Sequence, residues 1–264
     1  MGRVTQVEGR GLCLPVVYAV KLYGREFRMT HVMADNSEDS SKFGGSAMNI
    51  EALNDKYGPL SFAQRIEQLY LDFNPDGVMV TSSFAATSAY FLHIISRIRP
   101  QQTIFFIDTG FHFPETLIYK DYLIKLYSLT VKDVRPEEWK HDFTVREETY
   151  RSDPDFCCSI NKVEPLDEVK KDYQVWVSSL MRWQTMHRSE LKIFERRGGI
   201  IKFYPMVDVS KDERDAYIRE HQLPFHPLVA KGYSSIGCAH CTVPGDDRAG
   251  RWVDTPKKEC GLHL

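Results

Sequence analysis

The chain has 264 residues, enough for one α/β domain with a tail or for two small domains, and its 42% hydrophobic, 27% charged and 12% aromatic content is that of a packed globular protein. A formal net charge of −2 argues against a general nucleic-acid binder, which needs a basic surplus to meet phosphates, but leaves a small anionic ligand open. No run approaches the roughly 20 apolar residues of a membrane-spanning helix.

Residues 1–50 carry no clear period. Gly11 to Val20 (GLCLPVVYAV) follows Arg3 and Arg10 in the manner of a short signal h-region, but Pro15 interrupts it and no convincing cleavage site follows. The reading is an N-terminal extension over 1–50, poorly ordered, with Met29, Met33 and Met48 as alternative starts and a Gly/Ser-rich linker from Asp35 to Ser46.

A helix is predicted from Ser61 to Phe73, capped by Ser61, with Phe62, Ile66, Leu69, Tyr70 and Phe73 on one face. Strand–helix alternation follows. Gly77–Ser83 is a short buried strand, Ala86–Ile98 an apolar helix, Thr103–Asp108 a second strand and Pro114–Tyr127 a helix opening on proline. Ser128–Val134, Gln174–Ser179 and Ile200–Met206 are further strands, and Lys211–His221 a final helix. Such alternation implies an α/β fold, a mostly parallel sheet with helices on both faces.

Two turns sit at carboxyl ends of strands, where open α/β sheets bind ligands. TSSFAATSA (Thr81 to Ala89) offers Ser82, Ser83 and small residues before a helix N-terminus, which suits an anion, although a capped turn explains it equally. IDTGFHFPET (Ile107 to Thr116) presents Asp108, Thr109 and Gly110, a donor–acceptor set for a sugar or base, or a plain turn before a helix.

Six cysteines are present: Cys13, the adjacent pair Cys157–Cys158, the C-x-x-C of Cys238 and Cys241, and Cys260 near the end. This spacing fits metal binding and thiol chemistry in a reducing cytoplasm better than three disulfides. Cys157, Cys158, Cys238 and Cys241 could hold zinc or an iron–sulfur cluster. The adjacent pair favours a cluster, because zinc pairs usually carry a spacer that relaxes chelation strain. Cys260 follows Lys257 and Lys258 and precedes His263, so nearby positive charge favours its thiolate. Arg248 and Arg251, three apart, would form an anion clamp on a helical turn.

Together these residues closely resemble the assimilatory adenylyl-sulfate and phosphoadenylyl-sulfate reductases, from about Val78 to the end of the chain. SSF-x-A resembles the family's modified PP-loop, DTG-x-x-FPET its second nucleotide signature, and CC-x-x-NKVEPL its first cysteine pair; GYSSIGCAHCT, RAGRW and ECGLH resemble its C-terminal signatures. The family's Gly-Leu-Arg-Arg-x-Gln appears as Ser179-Leu180-Met181-Arg182-Trp183-Gln184, lacking its first arginine but keeping Arg182, Gln184 and Arg188. The PP-loop reads FAATS where relatives show a glycine or an acidic residue.

The resemblance implies a Rossmann-like PP-loop fold over 51–255 and a mobile catalytic tail over 256–264. It implies [4Fe–4S] ligation by Cys157, Cys158, Cys238 and Cys241, with Cys260 as nucleophile. Lys162, Arg182, Arg248, Arg251 and His263 would contact the phosphosulfate, and Ser82, Ser83, Asp108, Thr109 and Gly110 the nucleotide. The implied reaction reduces adenylyl sulfate to sulfite and AMP through a Cys260 S-sulfonate, with reduced thioredoxin or a similar dithiol protein as partner. The 3′-phosphorylated substrate is the alternative. Neither nucleic acid nor membrane is an expected partner, the expected compartment is the cytoplasm, and a homo-oligomer is compatible with the sequence. Rival readings are a PP-loop ATP pyrophosphatase, which would carry S-G-G-x-D-S and a basic RNA-binding surface, and a non-catalytic iron–sulfur or zinc nucleotide sensor, which has no use for Cys260.

Overall fold

The computed structural model describes residues 48–263 in full and, before them, the backbone of residues 16–22 and 25–31. The chain divides into two units, residues 1–44 and 45–264. In the first, β1 (Val16–Leu22) and β2 (Arg25–His31) pair antiparallel, with Val16 opposite His31 and Leu22 opposite Arg25. The sequence reading assigns no element here; β1 is an almost unbroken apolar run, which gives no alternation to read. The rest of the expected extension up to residue 47, including Cys13 and the linker, lies outside the described residues.

The second unit opens with α1 (Ile50–Tyr57), where the Asn49 side chain accepts from Glu51 and Ala52 amides. In α2 (Phe62–Asp72), Ser61 and Gln64 form a reciprocal capping box, and Phe62, Ile66 and Leu69 point into the core. Buried Arg65 on this face is held at both ends, bonding the Tyr57 carbonyl and the Asp208 carboxylate.

Then come β3 (Val78–Thr81), α3 (Ser88–Ile98), β4 (Thr103–Ile107), α4 (Pro114–Tyr127) and β5 (Thr130–Val134). Four short helices follow: α5 (Glu138–Arg146), α6 (Thr149–Ser152), α7 (Pro154–Cys158) and α8 (Glu164–Lys170). A wide π-helical turn, Ser159–Val163, joins the last two. The chain returns through β6 (Val175–Val177), α9 (Met186–Ser189), β7 (Phe194–Arg197), β8 (Ile200–Phe203) and α10 (Lys211–Glu220).

Among the described residues these strands form a six-stranded sheet in the order β5-β4-β3-β6-β8-β7, parallel except for β7 against β8. Val78, Met79 and Val80 are buried, as are Val175, Trp176 and Val177, the unbroken apolar pattern of strands covered on both faces. The sequence reading misses β7. Its hairpin with β8 turns through Gly198 and Gly199, both at positive φ (60° and 77°), as a tight two-residue loop requires. The chain runs from β3 to β4 and β5 on one side, then crosses to β6 on the other. The crevice beyond the carboxyl ends of β3 and β6 is therefore the topological switch point, where such sheets bind ligands.

No helix among the described residues is long and apolar enough to cross a membrane. The tail is docked rather than free: Lys257, Glu259 and His263 are all buried.

Ile66 is fully buried and Leu71, on the same helix, is 79% exposed. Ile66→Ala is expected to lower unfolding free energy by about 2–5 kcal/mol. Leu71→Ala should change it by no more than about 0.5 kcal/mol, both read from urea unfolding.

Candidate active site

A cavity of about 490 Å³ occupies the switch point. Its first wall is the turn after β3. Ser82 continues the strand by donating its amide to Phe105, and its hydroxyl accepts from the Phe84 amide at 3.2 Å. Phe84 is left-handed (φ 48°), and its buried ring meets Phe106 edge-on at 5.6 Å. That bend brings Ser82, Ser83 and residues 85–88 to the cavity. Thr87, which precedes α3, makes no side-chain cap; the Ser88 amide bonds the Ala85 carbonyl, and the amides that follow it in the first turn of α3 are left for an anion.

The opposite wall is cationic. Lys162, half-buried, reaches the cavity from the π-helical turn. Arg248 and buried Arg251 come from the turn after Cys241, with the Arg251 guanidinium 4.3 Å from the Trp252 ring centroid. The Nε atoms of both arginines are buried with no hydrogen-bond partner among the described residues. Burial, then the neighbouring Arg188 charge, pulls the Arg248 guanidinium down to about 10 even though Glu259 opposes the shift. Orphaned donors and crowded positive charge together call for an anionic ligand.

The cysteines lie beside this wall, and Cys238 itself lines the cavity. Cys157 and Cys158 end α7; Cys238 and Cys241 flank a single turn whose Ala239 amide donates to the Phe111 carbonyl. Cys157 and Cys238 pack with Phe111, Tyr150 and Cys241. Burial pushes the Cys158 thiol up to about 12 and raises Cys157 and Cys241 also. For Lys162, burial alone would pull the ammonium down, yet the sulfurs of Cys238, Cys158 and Cys260 hold it above its ordinary value. A buried cation facing thiols is compensated when those thiols are deprotonated, which is what metal ligation does. The donor set therefore fits a metal group. Among the described residues no three His, Cys, Asp or Glu side chains gather closely enough to hold a single metal ion.

The tail closes the cavity. Lys257 pairs with Asp155 beside the first cysteines. Glu259 accepts from Arg188 (2.8 and 2.9 Å), Thr185 (3.0 Å) and Arg248 (3.3 Å). Cys260 lies half-buried on the cavity wall, and Gly261 turns the chain at φ 86°. His263 stacks on Trp176 at 4.6 Å, its carbonyl faces His187, and its buried Nδ1 has no partner among the described residues. Burial, reinforced by Lys202, Arg188 and Lys170, holds its imidazole well below the ordinary value.

Ser82, Ser83, Lys162, Arg248, Arg251, Cys260 and His263 thus converge on one cavity. Four expected positions do not line it. Asp108 accepts from the Gly110 amide and pairs with Arg135, so its carboxylate is spent on its own turn. Gly110, at φ 70°, lets the backbone pass His141, where a Cβ would sit 2.6 Å from the ring. Thr109 turns to the cysteines, its hydroxyl 3.4 Å from Cys238 Sγ. Arg182 is exposed: its Nε bonds the Leu191 carbonyl, and the side chain edges a separate shallow pocket with Glu51 and Asn54. Arg188, buried and fixed by Gln184 and Glu259, stands in the cavity wall in its place. Glu259 and Trp176 are not singled out by the sequence reading; adjacency to Cys260 is the signal that could have found Glu259.

Residues 77–244 match the phosphoadenosine phosphosulfate reductase domain. The chain is 38% identical over 228 residues to an adenosine 5′-phosphosulfate reductase of Mesorhizobium japonicum, covering 83% of this chain and 89% of that one. The chain belongs to this reductase family. A phosphoadenosine 5′-phosphosulfate reductase of Gloeobacter violaceus is 35% identical over 71% of this chain and 83% of its own. The crystal structure of a phosphoadenylyl-sulfate reductase from Candida auris, in complex with phosphate, superposes with a TM-score of 0.65 at 26% identity, over 76% of this chain and all of that one. The expected PP-loop, Rossmann-like architecture of the reductase family is borne out.

A Cβ on Gly237 would run into the Arg251 guanidinium, the movable end of a flexible side chain. Gly237→Ala should leave the melting temperature within a few degrees while weakening AMP binding about tenfold by calorimetric titration. His263 is neutral when docked, so its contribution to docking is fully present above 6.5, the ordinary imidazole value, and diminishes progressively as pH falls below it. Trp176 fluorescence should change over that interval, and His263→Phe should hold it constant.

Proposed function

We propose that this chain reduces adenylyl sulfate to sulfite and AMP, with Cys260 as nucleophile and a reduced dithiol protein of the thioredoxin type as electron donor. The observation that carries the reading is Cys260 on the wall of a cavity that Lys162, Arg248 and Arg251 also line. A thiol delivered to an anion-binding cavity is placed to attack the sulfur of a phosphosulfate.

In the first half, the Cys260 thiolate forms a bond to that sulfur while the sulfur–oxygen bond to the phosphate breaks; AMP leaves with the electron pair, and a Cys260 S-sulfonate remains. Lys162, Arg248 and Arg251 offset the charge on the departing phosphate. The first-turn amides of α3, with Ser82 and Ser83, hold the nucleotide. In the second half, a dithiol sulfur attacks Cys260 Sγ, sulfite departs with the bonding pair, and the partner's second thiol displaces Cys260 and leaves as a disulfide. The dithiol thereby supplies the electron pair that reduces the sulfur. Neutral His263, held on Trp176, helps seat the tail.

Cys157, Cys158, Cys238 and Cys241 would hold a [4Fe–4S] cluster. Cys157 and Cys158 are consecutive on α7, so their side chains diverge by about 100° and suit two irons better than one zinc. When bound, the cluster supplies negative charge and structural order next to Lys162. Ligand thiols and an accessible nucleophilic cysteine both favour a reducing cytoplasm.

The 3′-phosphorylated nucleotide is the second reading, because similar relatives bear both names. Cys260→Ser is expected to lower sulfite release by at least about a thousandfold while nucleotide affinity stays within a few fold, measured by sulfite assay and equilibrium titration. Anaerobically purified protein should carry iron and acid-labile sulfide. Retained turnover in the variant sinks the nucleophile assignment, and a zinc-loaded, iron-free protein sinks the cluster.

A further inference from the structure

We infer that Glu259 is a positioning residue that pins Cys260 inside the cavity for the attack on sulfur and must let go before the reductant can reach it. The same carboxylate then acts in opposite directions on the two halves of the reaction. The inference rests on the Cys260 reading above.

Glu259 immediately precedes the nucleophile, so fixing its carboxylate fixes the Cys260 backbone within one residue. The Glu259 side chain is 4% exposed, and its carboxylate is fully engaged. Oε1 accepts from Arg188 Nε and Thr185 Oγ1, and Oε2 from Arg188 Nη2 and Arg248 Nη2. Arg248 Nη2 also donates to the Lys258 carbonyl at 3.1 Å, gripping the tail one residue earlier. Arg188 is itself immobilised by Gln184. The fork geometry of Arg188 on a carboxylate is the strong form of an ion pair.

The other fasteners of the tail differ in kind. Lys257 meets Asp155, whose side chain is 80% exposed, so water weakens that pair. His263 is held by a ring stack with no net charge. Glu259 alone among these three ties the tail to the cations of the cavity.

Docking and reduction make incompatible demands. Docked, Cys260 is half-buried on the wall of a cavity of about 490 Å³, room for a nucleotide but not for a folded dithiol protein. Attack on the phosphosulfate requires that docked state. Exchange with a protein dithiol requires the sulfonated cysteine outside it. The fraction of tails docked therefore scales the first half-reaction up and the second down.

Neutralising the carboxylate separates the two. Glu259→Gln loses the charge that fastens the tail and also leaves Arg188 and Arg248 without their shared counter-charge. Anionic nucleotide should bind no more weakly than before, because the site has become more positive.

The test uses the full-length, cluster-loaded protein under anaerobic conditions. Single-turnover release of AMP from adenylyl sulfate, without reductant, reads the first half. Loss of the mass of a preformed Cys260 S-sulfonate on mixing with reduced thioredoxin reads the second. Glu259→Gln is expected to slow the first about tenfold or more and to speed the second several-fold, with half-saturation for nucleotide unchanged or lower. Glu259→Asp keeps the charge but is one methylene shorter, and should fall between wild type and Glu259→Gln in both halves. A circular-dichroism melt on each variant reads the fold independently.

Equal slowing of both halves, or no change in either, overturns the inference, as does a raised half-saturation. If the wild-type protein itself forms no sulfonate on Cys260, the underlying nucleophile reading has failed instead, a result separable from any behaviour of the variants.

Discussion

Positive charge gathered at the carboxyl edge of the sheet governs the arrangement of everything around it. Lys162, Arg188, Arg248 and Arg251 come from different parts of the chain and meet on one cavity. Buried like charges repel strongly in a poorly screened interior, so the fold holds them together only where compensating charge is at hand. Two sources supply it from the protein. Sulfur stands behind Lys162, and the Glu259 carboxylate stands between Arg188 and Arg248. A third place, the cavity itself, is left for the ligand.

Seen this way, the cysteine site and the cavity are two faces of one structure. Thr109 reaches Cys238, and the neighbouring His112 pairs by backbone with Cys238 while its ring lines the cavity. The DTG turn is thus a strut between the two, with Asp108 and Gly110 shaping the strut rather than touching a ligand.

Much of this was legible beforehand because the signals were local. Pro114 at a first helical turn and the Ser61 cap mark helix starts by short-range chemistry, and β3 and β4 stand out as apolar runs. The cysteine spacing and ECGLH made the chemistry readable too. What escaped depends on distant partners or on direction. Whether Arg182 or Arg188 faces the cavity is decided by one turn after β6, where the Leu191 carbonyl captures Arg182, and no spacing rule contains that contact. Glu259 finds its arginine seventy-one positions earlier in the chain, beyond any window of sequence pattern. β7 is short and charged, and only its pairing with β8 makes it a strand.

Phe84 carries a last consequence. The FAATS loop contains no glycine, and its left-handed residue is a phenylalanine whose ring is sunk against Phe106. A bulky side chain is tolerated there because the hydrophobic contact offsets the backbone strain. The loop is consequently shaped from beneath, by the core, instead of by the freedom of its own backbone. Its polar rim can vary from one relative to another without changing where the amides point, so recognition can drift while the anchor stays still.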